Sequence, residues 1–134
     1  ETGADVVCFG DVEDFGEEEL FKSLGYFLSA ILPVCEKFDI KLAIHPDDPP
    51  WPIFGLPRIV RDEGRIERIL SLAESPYNGL ALCSGSLGAN PASDIPGMMR
   101  RFSAKGHLHF AHVRTIKRFP NGDYAECAHL SKAR

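Results

Sequence analysis

LALCSGSLGANPASDIPGMMRRFSAKGHLHFAH, residues 80–112, reads as one strand–loop–helix–strand unit. Its ends, Leu80–Cys83 and Leu108–His112, are short apolar runs of strand length. Between them, Ser84 to Gly88 reads as a Gly/Ser loop. Ser93 is placed to cap a helix running to about Phe102, with Asp94 in its first turn. Two strands joined through a helix can lie side by side in parallel, because the helix carries the chain back to the starting edge.

The same order extends outward from this unit. Lys41-Leu-Ala-Ile-His45 is another short apolar run, stopped by Pro46, and reads as a buried strand. Four prolines between Asp47 and Pro57 exclude regular structure there and predict a stiff loop. Asp62 to Ala73 follows as a helix with Ile66, Ile69, Leu70 and Ala73 on one face, and Ser75 to Gly79 turns the chain into Leu80. Upstream, Leu20, Leu24, Phe27, Leu28, Ile31 and Leu32 fall at helical spacing. Glu17, Glu18 and Glu19 suit the positive N-terminal end of that helix, and Pro33 predicts a kink or stop. Ala4 to Phe9 is a weak strand candidate. Beyond Arg114 a polar stretch turns at Pro120-Asn-Gly122, and Tyr124 to Leu130 reads as a short extended piece.

Strands alternating with helices predict an α/β fold of parallel βα units. A (β/α)8 barrel needs eight strands, so three or four amount to roughly half of a larger array, a single incomplete segment over residues 1–134. The 134 residues, 44% hydrophobic and 25% charged, suffice for one core. A net charge of −4 without a Lys/Arg block argues against a nucleic-acid surface, and the basic residues from Arg114 to Arg118 read as a solvated loop. No apolar run approaches the ~20 residues of a membrane span. Glu1 is not an initiator methionine and no signal-like segment leads the chain, which reads as a cut or trimmed end. Cys8, Cys35, Cys83 and Cys127 are widely spaced with no CxxC pair, which predicts reduced thiols and a cytoplasmic setting.

Three of the expected strands end in metal-binding side chains: His45, Cys83 and His112. They lie 38 and 29 residues apart, each about one βα repeat. Strand C-termini of such folds share one rim, where active sites gather. Alternation along each strand puts His45 on the face of Ala43, Cys83 on that of Ala81, and His112 on that of Phe110. Imidazole and thiolate suit Zn, Fe, Co or Mn to different degrees, with thiolate favouring the softer ions. Taken singly, a strand Cys is more often a small core residue and a strand-end His a polar edge residue. Their equivalent placement is what raises the metal reading.

The motifs around these residues resemble one family. His45-Pro-Asp-Asp-Pro-Pro50 with Ile53-Phe-Gly-Leu-Pro-Arg-Ile-Val60, then Asn78-Gly and Leu82-Cys-Ser-Gly-Ser-Leu-Gly88, then His109-Phe-Ala-His-Val-Arg114, resemble the signature segments of D-mannonate dehydratases. Glu126 to Leu130 is similar to the segment that follows. The resemblance covers about residues 16–130 and is carried from Leu20 to Leu130. Trp51 departs from the basic residue common there, and Glu1 to Phe15 do not match.

The resemblance implies a xylose-isomerase-like TIM barrel that converts D-mannonate to 2-keto-3-deoxy-D-gluconate and water in hexuronate breakdown. It implies Mn²⁺ or Fe²⁺ held by His45, Cys83 and His112. A fourth ligand, an Asp of an Asp-His-Gly motif, and proton-transfer groups, the neighbouring His and a later Tyr, would lie beyond Arg134, so the catalytic acid and base are not in this chain. Arg114, on the side of His112, is a candidate for the substrate carboxylate or a salt bridge at the rim. Asp47 and Asp48 could orient a ligand imidazole or cap the Pro-rich turn, and Asp47 is also a candidate for substrate contact. Ser84 and Ser86 could donate to substrate or close their own turn. His107 and His109 read as surface or packing residues, His129 as an interior polar group, and Cys8, Cys35 and Cys127 as structural. Two alternatives stand beside the dehydratase: a metal-dependent sugar isomerase or hydrolase on a similar barrel, and a non-catalytic segment that self-associates through its open edges. A homo-oligomer is expected, with no nucleic-acid or membrane partner.

Overall fold

The computed structural model describes residues 16–129. The expected strand at Ala4 to Phe9 and the thiol of Cys8 lie outside them. Three parallel segments form the centre. β1 (Leu80–Cys83) pairs with β2 (Leu108–His112), setting Ala81 opposite Phe110 and Cys83 opposite His112. On the other side of β1 runs residues 41–45, where Ile44 bridges Leu80 in parallel and the Ala81 N–H donates to the Ile44 carbonyl at 2.9 Å. The pairing there is a single bridge, and its residues alternate between exposed and half-buried. The expectation of a buried strand is therefore corrected to an extended edge segment. β1 alone is buried throughout; Phe110 on β2 is 58% exposed.

Among the described residues four helices surround these segments: α1 (Glu17–Phe38), α2 (Glu63–Leu72), α3 (Ser84–Gly88) and α4 (Ile95–Ala104). α1 does not stop at Pro33. It continues to Asp39, whose left-handed backbone closes the end. Phe21, Leu28 and Leu32 of α1, Ile66 and Ile69 of α2, and Met98 and Phe102 of α4 pack with Leu80 and Leu82 into one core. Phe27, expected on the apolar face of α1, is 55% exposed. The acidic start of α1 does more than meet the helix dipole: Glu17 receives two N–H groups of Arg65 at 2.7 and 2.9 Å, and Glu18 two of Arg68.

Two boundaries differ from expectation. α4 is capped by Asp94, whose carboxylate accepts the Gly97 N–H at 3.0 Å, and not by Ser93. A cap side chain takes the N–H two or three residues on. For Ser93 the second of these would be Pro96, which has none, whereas for Asp94 it is Gly97. The stretch from Ser84 to Gly88, expected as a loop, is the one-turn helix α3, with Cys83 as its cap. Leu87 is fully buried there, so the turn is fixed by packing and not by the propensity of Gly and Ser.

The last two strands of the described residues form an antiparallel hairpin, β3 (Ile116–Arg118) with β4 (Tyr124–Glu126), around Gly122 at φ 91°. The extended piece expected to reach Leu130 stops at Glu126, and β3 was not expected. His107 and His109 are packing residues as anticipated: their Nδ1 atoms meet the carbonyls of Asn78 at 3.0 Å and Leu42 at 2.5 Å. The His109 ring crosses Gly79 so closely that a Cβ there would fall 2.3 Å from Nδ1. His129 is exposed, not interior. No helix among the described residues is long and apolar enough to cross a membrane.

Candidate metal centre

Parallel pairing carries the ends of β1, β2 and the edge segment to one rim. The ligand atoms of His45, Cys83 and His112 all lie within 4.8 Å of one another. His45 ends the edge segment, Cys83 ends β1, and His112, directly opposite Cys83, ends β2. Cys83 is fully buried, whereas both histidines are exposed, so the group has a closed sulfur side and an open imidazole side.

The proton on His45 is placed by its partner. Nδ1 lies 2.7 Å from the Pro46 carbonyl, which can only accept, so Nδ1 carries the hydrogen and Nε2 keeps its lone pair. Nε2 sits 3.2 Å from His112 Nδ1. Two nitrogens bound to one ion at about 2.1 Å and about 90–109° apart would be separated by about 3.0–3.4 Å. The spacing, the oriented tautomer and the N/N/S donor set therefore fit a divalent cation, with room on the histidine side for further ligands.

The neighbouring side chains divide into those that face this group and those that brace it. Asp47 is a brace: its carboxylate accepts the Val60 N–H at 2.8 Å and an Arg58 N–H at 3.2 Å, closing the Pro-rich loop. Ser84 is another, its hydroxyl donating to the Arg114 carbonyl at 2.8 Å and accepting the Arg114 N–H at 2.9 Å. Both hydroxyl and carboxylate are thus engaged by the fold. Arg114 is not part of a solvated loop. Its side chain is 18% exposed, lies across Gly85, and pairs with Asp48, while Nε is 3.4 Å from a Glu126 oxygen.

Asp48 is the hub that sequence reasoning underweighted, and Tyr124 is the residue it missed. The Tyr124 hydroxyl donates to one Asp48 oxygen and the Arg114 guanidinium to the other. Trp51 packs edge-on against Tyr124 at 5.7 Å. Burial pushes the Tyr124 phenol up to about 12, with the Asp48 carboxylate adding to the effect. Burial would also raise the Asp48 carboxyl, but hydrogen bonds from Tyr124 and Arg114 outweigh it and hold the group below its ordinary range.

A pH dependence follows from these directions. Tyr124 favours its neutral form in the folded state, so its contribution is complete below its ordinary value of about 10 and is lost as pH rises toward about 12. The Asp48 contribution is complete above the usual carboxylate range and is lost as pH falls through its depressed value. Urea denaturation of the whole protein and of Tyr124→Phe is expected to show a stability gap that narrows between about pH 10 and 12. A gap constant across that window would contradict the Tyr124–Asp48 clamp.

Comparison with known proteins gives consistent matches. The D-mannonate dehydratase (UxuA) family profile matches residues 7–134. A mannonate dehydratase of Thermotoga neapolitana is 57% identical over 115 residues, covering 86% of this chain and 32% of that protein. Mannonate dehydratase 2 of Halalkalibacterium halodurans is 56% identical over 117 residues, covering 87% and 34%. The crystal structure of mannonate dehydratase from Streptococcus suis superposes with a TM-score of 0.84 at 40% identity, covering 90% of this chain and 34% of that one. The chain spans about a third of the length of the relatives it matches.

Proposed function

This chain belongs to the D-mannonate dehydratase family, and from that premise we propose that it supplies the metal-binding rim of an enzyme converting D-mannonate to 2-keto-3-deoxy-D-gluconate and water. The observation that carries the reading is the convergence of His45, Cys83 and His112 on one rim. The ion is proposed to be Mn²⁺ or Fe²⁺. The parallel segments around β1 are read as part of a TIM (β/α)8 barrel whose other strands belong to the rest of the whole protein. The open face of β2, with Phe110 exposed, supports this.

Dehydration removes the C2 proton beside the carboxylate and expels the C3 hydroxyl. The C2 proton is weakly acidic because the neighbouring carboxylate is already charged. A bound divalent cation would supply Lewis-acid stabilisation of the charge that develops on substrate oxygens. The chain's own residues prepare the place for it. Pro46 fixes the His45 tautomer, and Ser86 fixes the Cys83 sulfur. Asp48 and Tyr124 hold the Arg114 guanidinium beside the rim, where its positive charge can meet the substrate carboxylate. Ser84 and Asp47, candidates for substrate contact, would act by bracing the loops around the site. The acid and base that flank the reacting carbons are assigned to other parts of the protein.

Incubating the whole protein with D-mannonate and Mn²⁺ is expected to yield the 2-keto-3-deoxy acid. Turnover of an aldose to a ketose, with none of D-mannonate, would replace this reading with an isomerase. The outer face of α1 supports a homo-oligomer: Tyr26, Val34 and Phe38 recur at helical spacing and are 79%, 47% and 61% exposed. A monomer at high concentration in light scattering would contradict that part. A cytoplasmic setting is consistent with the free, buried thiols of Cys35 and Cys83, and cell fractionation tests it.

A further inference from the structure

The most completely built surroundings in the site belong to its softest donor. Cys83 Sγ receives the Ser86 N–H at 3.4 Å and the Ser86 hydroxyl at 3.2 Å. Cys83 and Ser86 are both fully buried, so water does not compete for these contacts. The turn of α3 aims both donors at the sulfur. That turn is pinned by Leu87 in the core and by the Arg114 side chain lying across Gly85, where a Cβ would fall 2.6 Å from Cδ. The Ser86 hydroxyl has one proton and a second acceptor within reach, the Asp48 carboxylate. The geometry gives the hydroxyl to the sulfur at 3.2 Å, while Tyr124 and Arg114 donate to the two Asp48 oxygens.

We infer that Ser86 is a positioning residue that weakens the Cys83 sulfur as a donor and so biases the site away from Zn²⁺ toward harder divalent ions such as Mn²⁺. The inference rests on the metal-centre reading above. An unperturbed thiolate is a soft ligand that favours zinc. A hydrogen bond to sulfur draws density from the lone pair used in the metal–sulfur bond. The ions that depend most on that bond lose most, and zinc depends on it more than manganese. Partners in this outer position are commonly worth about 10–100-fold in metal affinity.

The test uses the whole protein loaded with Co²⁺ alone, with wild type, Ser86→Ala and Ser86→Thr compared. Wild type is expected to show a sulfur-to-cobalt charge-transfer band. Removing the hydroxyl raises the sulfur lone pair in energy, so the Ser86→Ala band moves to longer wavelength. In competition the Zn²⁺-over-Mn²⁺ affinity ratio rises about tenfold. Ser86→Thr, which keeps the hydroxyl, stays close to wild type in both. If Ser86→Ala does not fold, Ser86→Gly removes the same hydroxyl without adding a second sulfur that could ligate the ion, and is expected to shift the band in the same direction. An unshifted band with an unchanged ratio overturns the role of Ser86 while leaving the metal centre standing. Absence of the band in wild type overturns both, because Cys83 would not then be a ligand.

Discussion

His112→Ala is expected to strip the metal from the whole protein and to lower D-mannonate dehydration by about 10³-fold, with little change in thermal stability against metal-free wild type. Lewis-acid assistance is worth several kcal/mol, and about 4 kcal/mol corresponds to that factor. The fold is insulated from the change because the His112 side chain is exposed and β2 is held by its backbone pairing with β1. Cys83→Ser should lose metal to a similar extent but also cost stability, since it puts a hydroxyl where a fully buried sulfur sits. Metal content by plasma emission, read beside activity and a thermal melt on the same samples, separates ligand loss from unfolding. Full metal occupancy in His112→Ala would remove it from the ligand set.

Arg114→Ala is expected to raise KM for D-mannonate about 10–100-fold, the worth of a hydrogen bond to a charged group, about 1.5–3 kcal/mol, converted to a ratio. It should also destabilise the rim, because Asp48 would keep Tyr124 but lose its cationic partner. The ion pair is partly solvated, with side chains 18% and 32% exposed, so this cost falls below that of a dry pair. Arg114→Lys restores the charge without the planar fork and should recover only part of KM. A variant with normal KM and lowered stability would assign Arg114 to the structure alone. Steady-state kinetics and urea denaturation read the two effects separately.

The parts of this site legible in the sequence are those that repeat with the fold. His45, Cys83 and His112 close three apolar runs, and parallel pairing then dictates that such ends meet. The cap of α4 was also within reach, since Pro96 has no N–H for Ser93 to accept. What was not legible depends on contacts between distant turns. Tyr124 meets Asp48 across 76 residues, and no local pattern signals that a tyrosine after a Pro-Asn-Gly turn will reach back to the Pro-rich loop. The helix of Ser84 to Gly88 is similar: its residues favour a loop, and burial of Leu87 with Arg114 over Gly85 decides otherwise. On the inference drawn for Ser86, metal choice is hidden for the same reason. A thiolate in the sequence points to zinc, while the two hydrogen bonds on that sulfur are visible only in the fold.

X-ray absorption at the metal edge of the whole protein loaded with Mn²⁺ or Fe²⁺ tests the proposed centre most directly. One sulfur neighbour together with imidazole nitrogens, the sulfur shell vanishing in Cys83→Ser, is the result expected from the convergence of His45, Cys83 and His112. A shell of oxygen and nitrogen alone in the active wild-type protein would contradict it.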